Sequence, residues 1–388
     1  MSRKSQINPF PYYVYFGIAG VLIFIGLFTS VYLSISHYRV YTDMGYKSFC
    51  ALSKAINCDT VSQSPYSILL NIPLPLWGVA GYLLLTGLLI FNLKKEIPHQ
   101  RIWALFFWIA LLYSAYSIVL ALISTYVIHS YCIMCIVAYG VNFALVWFGW
   151  LIRKRFSSHS LIEDTQNDIG FLWRKPLKNL AWVLLFPVVI ILTMGFLPAY
   201  WKLEPPPSAS HIASGITGDG HPWIGAENPV LEITEFTDYQ CFQCKKMHFF
   251  LRQLIANYPE KIRLVHRHFP MDHQFNPIVT KPFHSSSGQR ALLAIYAASR
   301  NKFWVMNDLL FEMAGQGEDI RLKAIAQHTG FSLTDLNEAL NGSASRRQLI
   351  MDIAAGIRQG LTGTPAYIID DELYQAQIPP HVITQALR

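Results

Sequence analysis

The sequence predicts a multi-domain protein, a polytopic α-helical membrane domain followed by an extracytoplasmic α/β domain with a helical insertion. Three observations lead there. Five long apolar runs occupy the N-terminal half, and strand-like segments bracket a helical block in the C-terminal half. Six cysteines fall into three close pairs, Cys50 with Cys58, Cys132 with Cys135 and Cys241 with Cys244. No thiol is left over, and two Cys-x-x-Cys spacings point to disulfides that open and close.

The apolar runs cover about Pro11–Ile35, Leu74–Asn92, Ile102–Ile128, Ile133–Ile152 and Leu180–Pro198. Each approaches or exceeds the ~20 residues that cross a hydrocarbon core, and none carries Asp, Glu, Lys or Arg in its middle. The first run is too long for a signal peptide and lacks a small-residue cleavage site. Overall, 52% of residues are hydrophobic and 14% charged, against about 25% charged in an average soluble protein.

Net charge is +7, which would suit nucleic acid if it were spread or clustered on a polar domain. It is not. Residues 1–200 hold 14 Lys/Arg and 6 Asp/Glu, whereas residues 201–388 hold 17 and 18. The excess therefore marks loops on one membrane face, and no nucleic-acid partner is expected. Arg3 and Lys4, then Lys94, Lys95 and Arg101, then Arg153, Lys154, Arg155, Arg174, Lys175 and Lys178 fall in alternate connections. By the positive-inside rule these face the cytoplasm, and the C-terminal domain lies on the opposite side of a cell inner (plasma) membrane.

Residues 202–228, opening with Pro205-Pro206-Pro207 and then rich in Ser and Gly, read as a linker. Val230–Phe236 reads as a buried strand and Ile262–Arg267 as a second. A helical stretch covers about Ser287–Ala355, Ala366–Ile369 is a late strand, and a short helix ends the chain. The expected division is 1–155, a membrane domain; 156–201, a cytoplasmic loop and fifth transmembrane helix; 202–228, the linker; and 229–388, the α/β domain.

The soluble pair sits in Glu235-Phe236-Thr237-Asp238-Tyr239-Gln240-Cys241-Phe242-Gln243-Cys244, where a strand ends and a helix begins. Free N–H groups and the dipole at a helix N-terminus stabilise a thiolate, so Cys241 is the expected nucleophile. Cys244, one turn in, resolves the mixed disulfide. With Gly363-Thr364-Pro365 downstream, residues 229–388 resemble the thioredoxin superfamily and its DsbA-like branch. That resemblance implies a cis Pro365, with Thr364 presenting backbone to a substrate peptide. Phe242-Gln243 departs from the Pro-His of strongly oxidising members and leaves the direction of electron flow open. His266 and His268 share one face of the second strand, read as surface or core residues with no metal site expected.

Cys132-Ile133-Met134-Cys135 opens the fourth membrane helix and repeats the helix-N-terminus logic at the membrane surface. Cys50 and Cys58, with seven residues between them, lie on the outer loop between the first two spans and read as a mobile pair. Cys50-x7-Cys58-Asp59, Ser64-Pro65-Tyr66, Leu76-Trp77-Gly78 and Cys132-x-x-Cys135 with Tyr139 and Asn142 together resemble the vitamin K epoxide reductase family over residues 12–152. The resemblance implies a four-helix bundle whose Cys-x-x-Cys reduces a quinone while the loop cysteines shuttle electrons. It also makes Ser64 a hydrogen-bond candidate for the quinone, with Tyr139 and Trp77 beside it. Leu74 stands where vertebrate members have Asn, which favours a respiratory ubiquinone or menaquinone over the epoxide.

The expectation is thus a quinone-dependent protein-disulfide oxidoreductase. Its partners would be exported protein thiols, the membrane quinone pool and the lipid bilayer. Two rival readings are a reductase or isomerase with outward electron flow and a membrane-anchored metal-handling thiol protein.

Overall fold

The computed structural model describes residues 10–52, 55–93, 102–157, 159–173, 189, 192, 198–313 and 320–387. These divide into two compact units, one spanning the N-terminal half to Trp201 and the other taking Lys202–Arg388, with residues 43–45 counted in the second unit.

Among the described residues, four helices of the first unit are long and apolar enough to cross a membrane: α1 (Tyr12–Thr42), α3 (Leu74–Asn92), α4 (Trp103–Ile123, running on to Ile128 as a π-type turn) and α5 (Ile133–Phe156). α1 packs on α3 and α5, and α4 on α5. Aromatic and aliphatic side chains fill the centre, among them Tyr15, Ile23, Leu85, Phe106 and Leu145. Polar side chains join three of the helices. The Tyr82 hydroxyl donates to Asn142 Oδ1 at 2.7 Å, and Asn142 Nδ2 donates to Ser117 Oγ at 2.9 Å. In hydrocarbon such bonds replace an otherwise unsatisfied polar group. Gly78 lets α3 approach α1 closely, because a Cβ there would run into the Ser30 hydroxyl.

Between α1 and α3 lie helix α2 (Cys58–Gln63), a single 3-10 turn (Pro65–Ser67) and a two-stranded hairpin, β1 (Ile68–Leu69) with β2 (Ile72–Pro73). After α5, residues expected as a basic loop begin with a helix, α6 (Leu161–Trp173). Ser160 and Glu163 cap it reciprocally, at 2.9 and 3.2 Å, and Asp168 accepts the Ala104 backbone N–H at 3.1 Å. The acidic first turn and this cap outweigh the basic residues on either side. Most of the expected fifth span, Leu180–Pro198, lies outside the described residues, as do Arg3, Lys4, Lys94, Lys95, Arg101, Arg174, Lys175 and Lys178.

The second unit is built on a six-stranded sheet in the order β3-β4-β6-β5-β7-β8. The strands are β3 (Ser214–Ile216), β4 (Pro222–Gly225), β5 (Leu231–Thr237), β6 (Ile262–His268), β7 (Ala366–Ile369) and β8 (Glu372–Gln375). β5 and β6 run parallel and the other pairs are antiparallel. Side chains from both faces of the sheet, among them Ile224, Ile233 and Leu264 on one and Phe236 on the other, share one core with Phe269, Leu293 and Phe311.

Helix α7 (Phe242–Asn257) follows β5, as expected, and five helices follow β6. These are α8 (Ser287–Ala298), α9 (Phe303–Glu312), α10 (Leu322–Thr329), α11 (Leu333–Asn341) and α12 (Ser343–Arg358), with α13 (Pro380–Leu387) near the end. Pairing corrects one expectation: β3 and β4 fall within residues 202–228, read from sequence as linker. They are three and four residues long, and Pro222 and Gly225 at the ends of β4 are residues that ordinarily mark turns. The φ of +115° at Gly225, where a Cβ would strike the Ile262 carbonyl, shows why that glycine ends the strand.

Candidate active site

Two of the three cysteine pairs are placed by the same local device. Cys241 is the N-cap residue of α7, and its Sγ accepts the Cys244 backbone N–H at 3.4 Å. Cys132 is the N-cap of α5, and its Sγ accepts the Cys135 N–H at 3.2 Å. A sulfur thus takes the place of the usual Ser or Asp oxygen, facing the free N–H groups that favour negative charge.

In the soluble pair, Cys241 is half-buried and Cys244 fully buried. The Cys241 thiol donates to the Thr364 carbonyl at 3.6 Å, and the Thr364–Pro365 peptide is cis. A hydrogen bond from Cys244 lowers the pKa of Cys241 despite burial, and the charge of His284 lowers it further. Burial raises the pKa of Cys244 well above a thiol's ordinary value, and the Cys241 sulfur adds to that. One sulfur is therefore set as nucleophile and leaving group, while the other stays protonated unless its proton is removed.

Residues that the sequence did not single out support this pair. Asp238 accepts His284 Nδ1 at 2.8 Å and the Met271 and Gln240 backbone N–H groups at 2.7 Å each, fixing His284 near Cys241. Burial disfavours a charged His284, but Asp238 raises its pKa above the ordinary value. Glu235, six residues before Cys241, is completely buried. Burial raises its pKa, but His248 and His266 outweigh that and hold it at about 2. Nothing in the sequence separated Glu235 from Glu232 on the same strand; the histidines facing Glu235 come from β6 and α7.

In the first unit Cys50 and Cys58 form a disulfide with 5.7 Å between Cα atoms. Cys50, Cys58, Cys132 and Leu33 make one buried cluster, with Cys135, Tyr32, Val61 and Met134 packed on it. Sequence placed Cys50 and Cys58 on a mobile loop; instead they are 0% and 1% exposed. The reason is a backbone clasp. Asn57 N–H donates to the Tyr131 carbonyl at 2.9 Å, and Tyr131 N–H donates to the Ala55 carbonyl at 2.8 Å. The segment before Cys58 is thereby joined to the segment before Cys132 in a parallel bridge, Ile56 with Tyr131. Asn57 then caps α2 through the N–H groups of Asp59 and Thr60, at 2.9 and 3.2 Å.

The other candidates are not members of this cluster. Ser64 donates to the Val61 carbonyl at 2.8 Å. Trp77 Nε1 donates to the Leu69 carbonyl at 3.2 Å and the Trp77 carbonyl accepts from Tyr113 at 2.8 Å. Tyr139, half-buried, lies one turn beyond Cys135 on α5, hence on its face of the helix. Leu74 is the first residue of α3. Asn142 is committed to Tyr82 and Ser117.

Two Cys-x-x-Cys pairs at helix N-termini, one on a sheet of this topology and one beside a buried disulfide, define a thiol–disulfide oxidoreductase. Residues 18–150 match the model of the vitamin K epoxide reductase family, and residues 232–388 match that of the DSBA-like thioredoxin domain. The chain joins a vitamin K epoxide reductase-family domain to a DsbA-like thioredoxin domain.

Two curated relatives are Na(+)/H(+) antiporters, NhaA of Herminiimonas arsenicoxydans, 23% identical over 187 residues, and NhaA 3 of Salinispora tropica, 23% over 146. The first match takes 48% of this chain and 26% of that protein, the second 38% and 21%, so the chain spans about a quarter of these relatives. Among solved structures, a thioredoxin-like oxidoreductase from Silicibacter pomeroyi is 20% identical with a TM-score of 0.36, covering 44% of this chain and 91% of that one. The thiol-disulfide exchange protein α-DsbA2 from Wolbachia pipientis is 24% identical with a TM-score of 0.34, covering 42% and 84%.

Proposed function

We propose that this protein is a membrane thiol–quinone oxidoreductase that drives disulfide formation in exported proteins. The observation that carries the reading is the buried cluster in which the Cys50–Cys58 disulfide lies packed with Cys132 and Cys135. A disulfide packed against a second dithiol has one evident chemistry, exchange with it. Electrons run from Cys241/Cys244 to Cys50/Cys58, then to Cys132/Cys135, and finally to ubiquinone or menaquinone.

Each exchange forms one S–S bond and breaks another. Substrate thiolate attacks Cys241, and a second substrate thiolate releases it, leaving Cys241 and Cys244 reduced. Cys241 then attacks Cys50, freeing Cys58, and Cys244 attacks Cys241, freeing Cys50. Cys58 attacks Cys132 of the Cys132–Cys135 disulfide and displaces Cys135, and Cys50 then attacks Cys58, leaving Cys132 and Cys135 reduced. Re-formation of the Cys132–Cys135 disulfide delivers two electrons and two protons to the quinone, giving the quinol. Ser64, Tyr139 and Trp77 are the proposed residues of the quinone site, and Thr364 and Pro365 those that hold the substrate peptide.

Orientation follows the basic loops: N-terminus in the cytoplasm and the thioredoxin-like domain outside, in a plasma or inner membrane. The proposed division remains 1–155, 156–201, 202–228 and 229–388, with β3 and β4 at the end of the connecting segment. Joining the partners in one chain raises their effective concentration to about millimolar for a flexible connection.

The test is anaerobic reduction of a soluble ubiquinone or menaquinone analogue by purified protein with a reduced thiol peptide as donor. Turnover abolished by both Cys135→Ala and Cys241→Ala supports the relay. Absence of turnover in folded wild-type protein refutes it and moves the weight to outward electron flow.

A further inference from the structure

The outer loop of the first unit carries a buried hydroxyl that the thiol exchanges leave unused. Ser48, two residues before Cys50, is 4% exposed. Its carbonyl accepts the Ala51 backbone N–H at 3.1 Å, closing a turn around Phe49 and Cys50. Its own N–H donates to Asp59 Oδ2 at 3.1 Å, and Asp59, also buried, directly follows Cys58. The arm before Cys50 is thereby fastened to the arm after Cys58 by a bond that does not depend on the disulfide.

These two anchors direct the Ser48 side chain, whose Oγ lies 3.6 Å from Cys50 Sγ. A disulfide sulfur carries no hydrogen, so the hydroxyl donates and the sulfur accepts. Among the described residues the hydroxyl makes no other hydrogen bond, and the Cys58 sulfur receives none. A neutral disulfide sulfur is a weak acceptor, whereas a thiolate draws a charge-assisted bond roughly twice as strong. The contact therefore strengthens as Cys50 takes on negative charge, which lowers a barrier instead of merely tightening the resting loop.

We propose that Ser48 is a catalytic residue of the relay: its hydroxyl donates to the Cys50 thiolate as that sulfur leaves Cys241, so that the mixed disulfide between them resolves forward. The proposal rests on the relay set out above and names the group that makes Cys50 a leaving group. The Cys241–Cys50 bond can break in two ways. Cys58 can return to Cys50 and expel Cys241, which undoes the transfer. Alternatively, deprotonated Cys244 attacks Cys241; the Cys241–Cys244 bond forms, the Cys241–Cys50 bond breaks, and Cys50 keeps the electron pair. A leaving thiol of lower pKa departs faster, so a donor on Cys50 favours this second course. Cys50 then attacks Cys58 of the Cys58–Cys132 bond, the loop disulfide re-forms, and Cys132 leaves with its pair. The protons given up by Cys241 and Cys244 go to water, and Cys132 and Cys135 take up two. Two electrons have passed from one dithiol to the next with no further reactant.

The surroundings of Cys50 make this donor matter. Cys241 and Cys132 each face an N–H at the start of a helix, but Cys50 lies in a turn and has no such group. Asp59 from α2 can only accept when ionised, and its charge opposes a thiolate. From α1, Tyr32 packs on the cluster and on Phe49, with 5.3 Å between ring centres. From the start of α5 come Cys132 and Cys135. Ser48 thus supplies by a side chain what the helix backbone supplies to the other two nucleophiles.

The test uses full-length protein in detergent. In a Cys58→Ala background Cys50 is a free thiol, while Cys132–Cys135 and Cys241–Cys244 are kept as disulfides. Iodoacetamide labelling of the Cys50 peptide, read by mass spectrometry, is followed from about pH 6 to about pH 10, either side of an ordinary thiol. Ser48→Ala should move the labelling midpoint up by about one pH unit, the low end for a hydrogen bond to a charged group. Ser48→Thr, which keeps the hydroxyl, should return it. A change of access alone alters the limiting rate at high pH and leaves the midpoint in place.

A second measurement keeps all six cysteines. Fully oxidised protein receives one equivalent of a reduced dithiol peptide without quinone, and acid stops the exchange. The Cys50–Cys241 adduct should be severalfold more abundant with Ser48→Ala than in the wild type. An unchanged midpoint overturns the proposal, and so does a wild-type level of adduct. If Ser48→Ala fails to fold, Ser48→Gly removes the same hydroxyl, and an unchanged midpoint there overturns it equally. Neither measurement uses quinone, so failure here is distinct from failure of the quinone assay.

Discussion

Glu235→Gln is the substitution whose cost the structure predicts best. The side chain keeps its size and loses its charge, so it mimics the protonated carboxyl. In the folded protein the carboxylate titrates at about 2 against an ordinary 4.5, because His248 and His266 outweigh the cost of burial. At about 1.36 kcal/mol per pH unit, that difference amounts to roughly 3 kcal/mol of stability. A depressed carboxylate contributes fully above its unfolded value, and the contribution disappears as pH falls through the folded one. The variant should therefore be roughly 3 kcal/mol less stable near neutral pH, with the gap closing between about pH 5 and pH 2. Denaturant unfolding of full-length protein, read by protease resistance of the C-terminal domain, measures it. Equal stability at neutral pH would refute the reasoning. So would a gap that stays constant as pH falls, since that would trace the loss to packing rather than charge.

Three further outcomes are expected. His284→Ala removes a positive charge near Cys241 and leaves Asp238, so the Cys241 pKa rises; alkylation just below neutral pH should slow about fivefold, the size of a ~1 kcal/mol charge interaction. Cys135→Ser with Cys50→Ser should trap a Cys58–Cys132 mixed disulfide, visible as a cross-linked peptide after digestion; a Cys50–Cys132 adduct from the matching Cys58→Ser variant alone would reverse the assigned order. Asn57→Ala removes the cap of α2, at a cost of about 1 kcal/mol, and should speed hydrogen exchange at Asp59 and Thr60 severalfold.

Much of this was legible because it rests on features local in sequence. Four apolar runs became helices, three within a few residues of their expected ends and the first running seven residues past Ile35, and both Cys-x-x-Cys motifs fall at helix starts. What escaped depends on partners distant in the chain. β3 and β4 are strands only because β6 offers an edge to β4, and nothing in their few residues announces it. His266 and His268 could be assigned to one face of a strand, but the carboxylate waiting there comes from β5, 31 residues before His266. Likewise, the loop cysteines read as mobile because the clasp that buries them is made with Tyr131, 73 residues or more beyond them.

That clasp has a kinetic consequence. A disulfide with almost no exposed surface cannot meet a thiol until the loop carrying it lets go, and release forfeits the bonds of Asn57 and Tyr131 along with the packing around Cys132. Stray thiols in solution, each visiting briefly, will usually find it shut. A donor tied to the same chain is present whenever it opens. On the proposed relay, the loop would work as a turnstile whose opening frequency places a ceiling on turnover and keeps the proposed membrane oxidant from being drained by chance reductants.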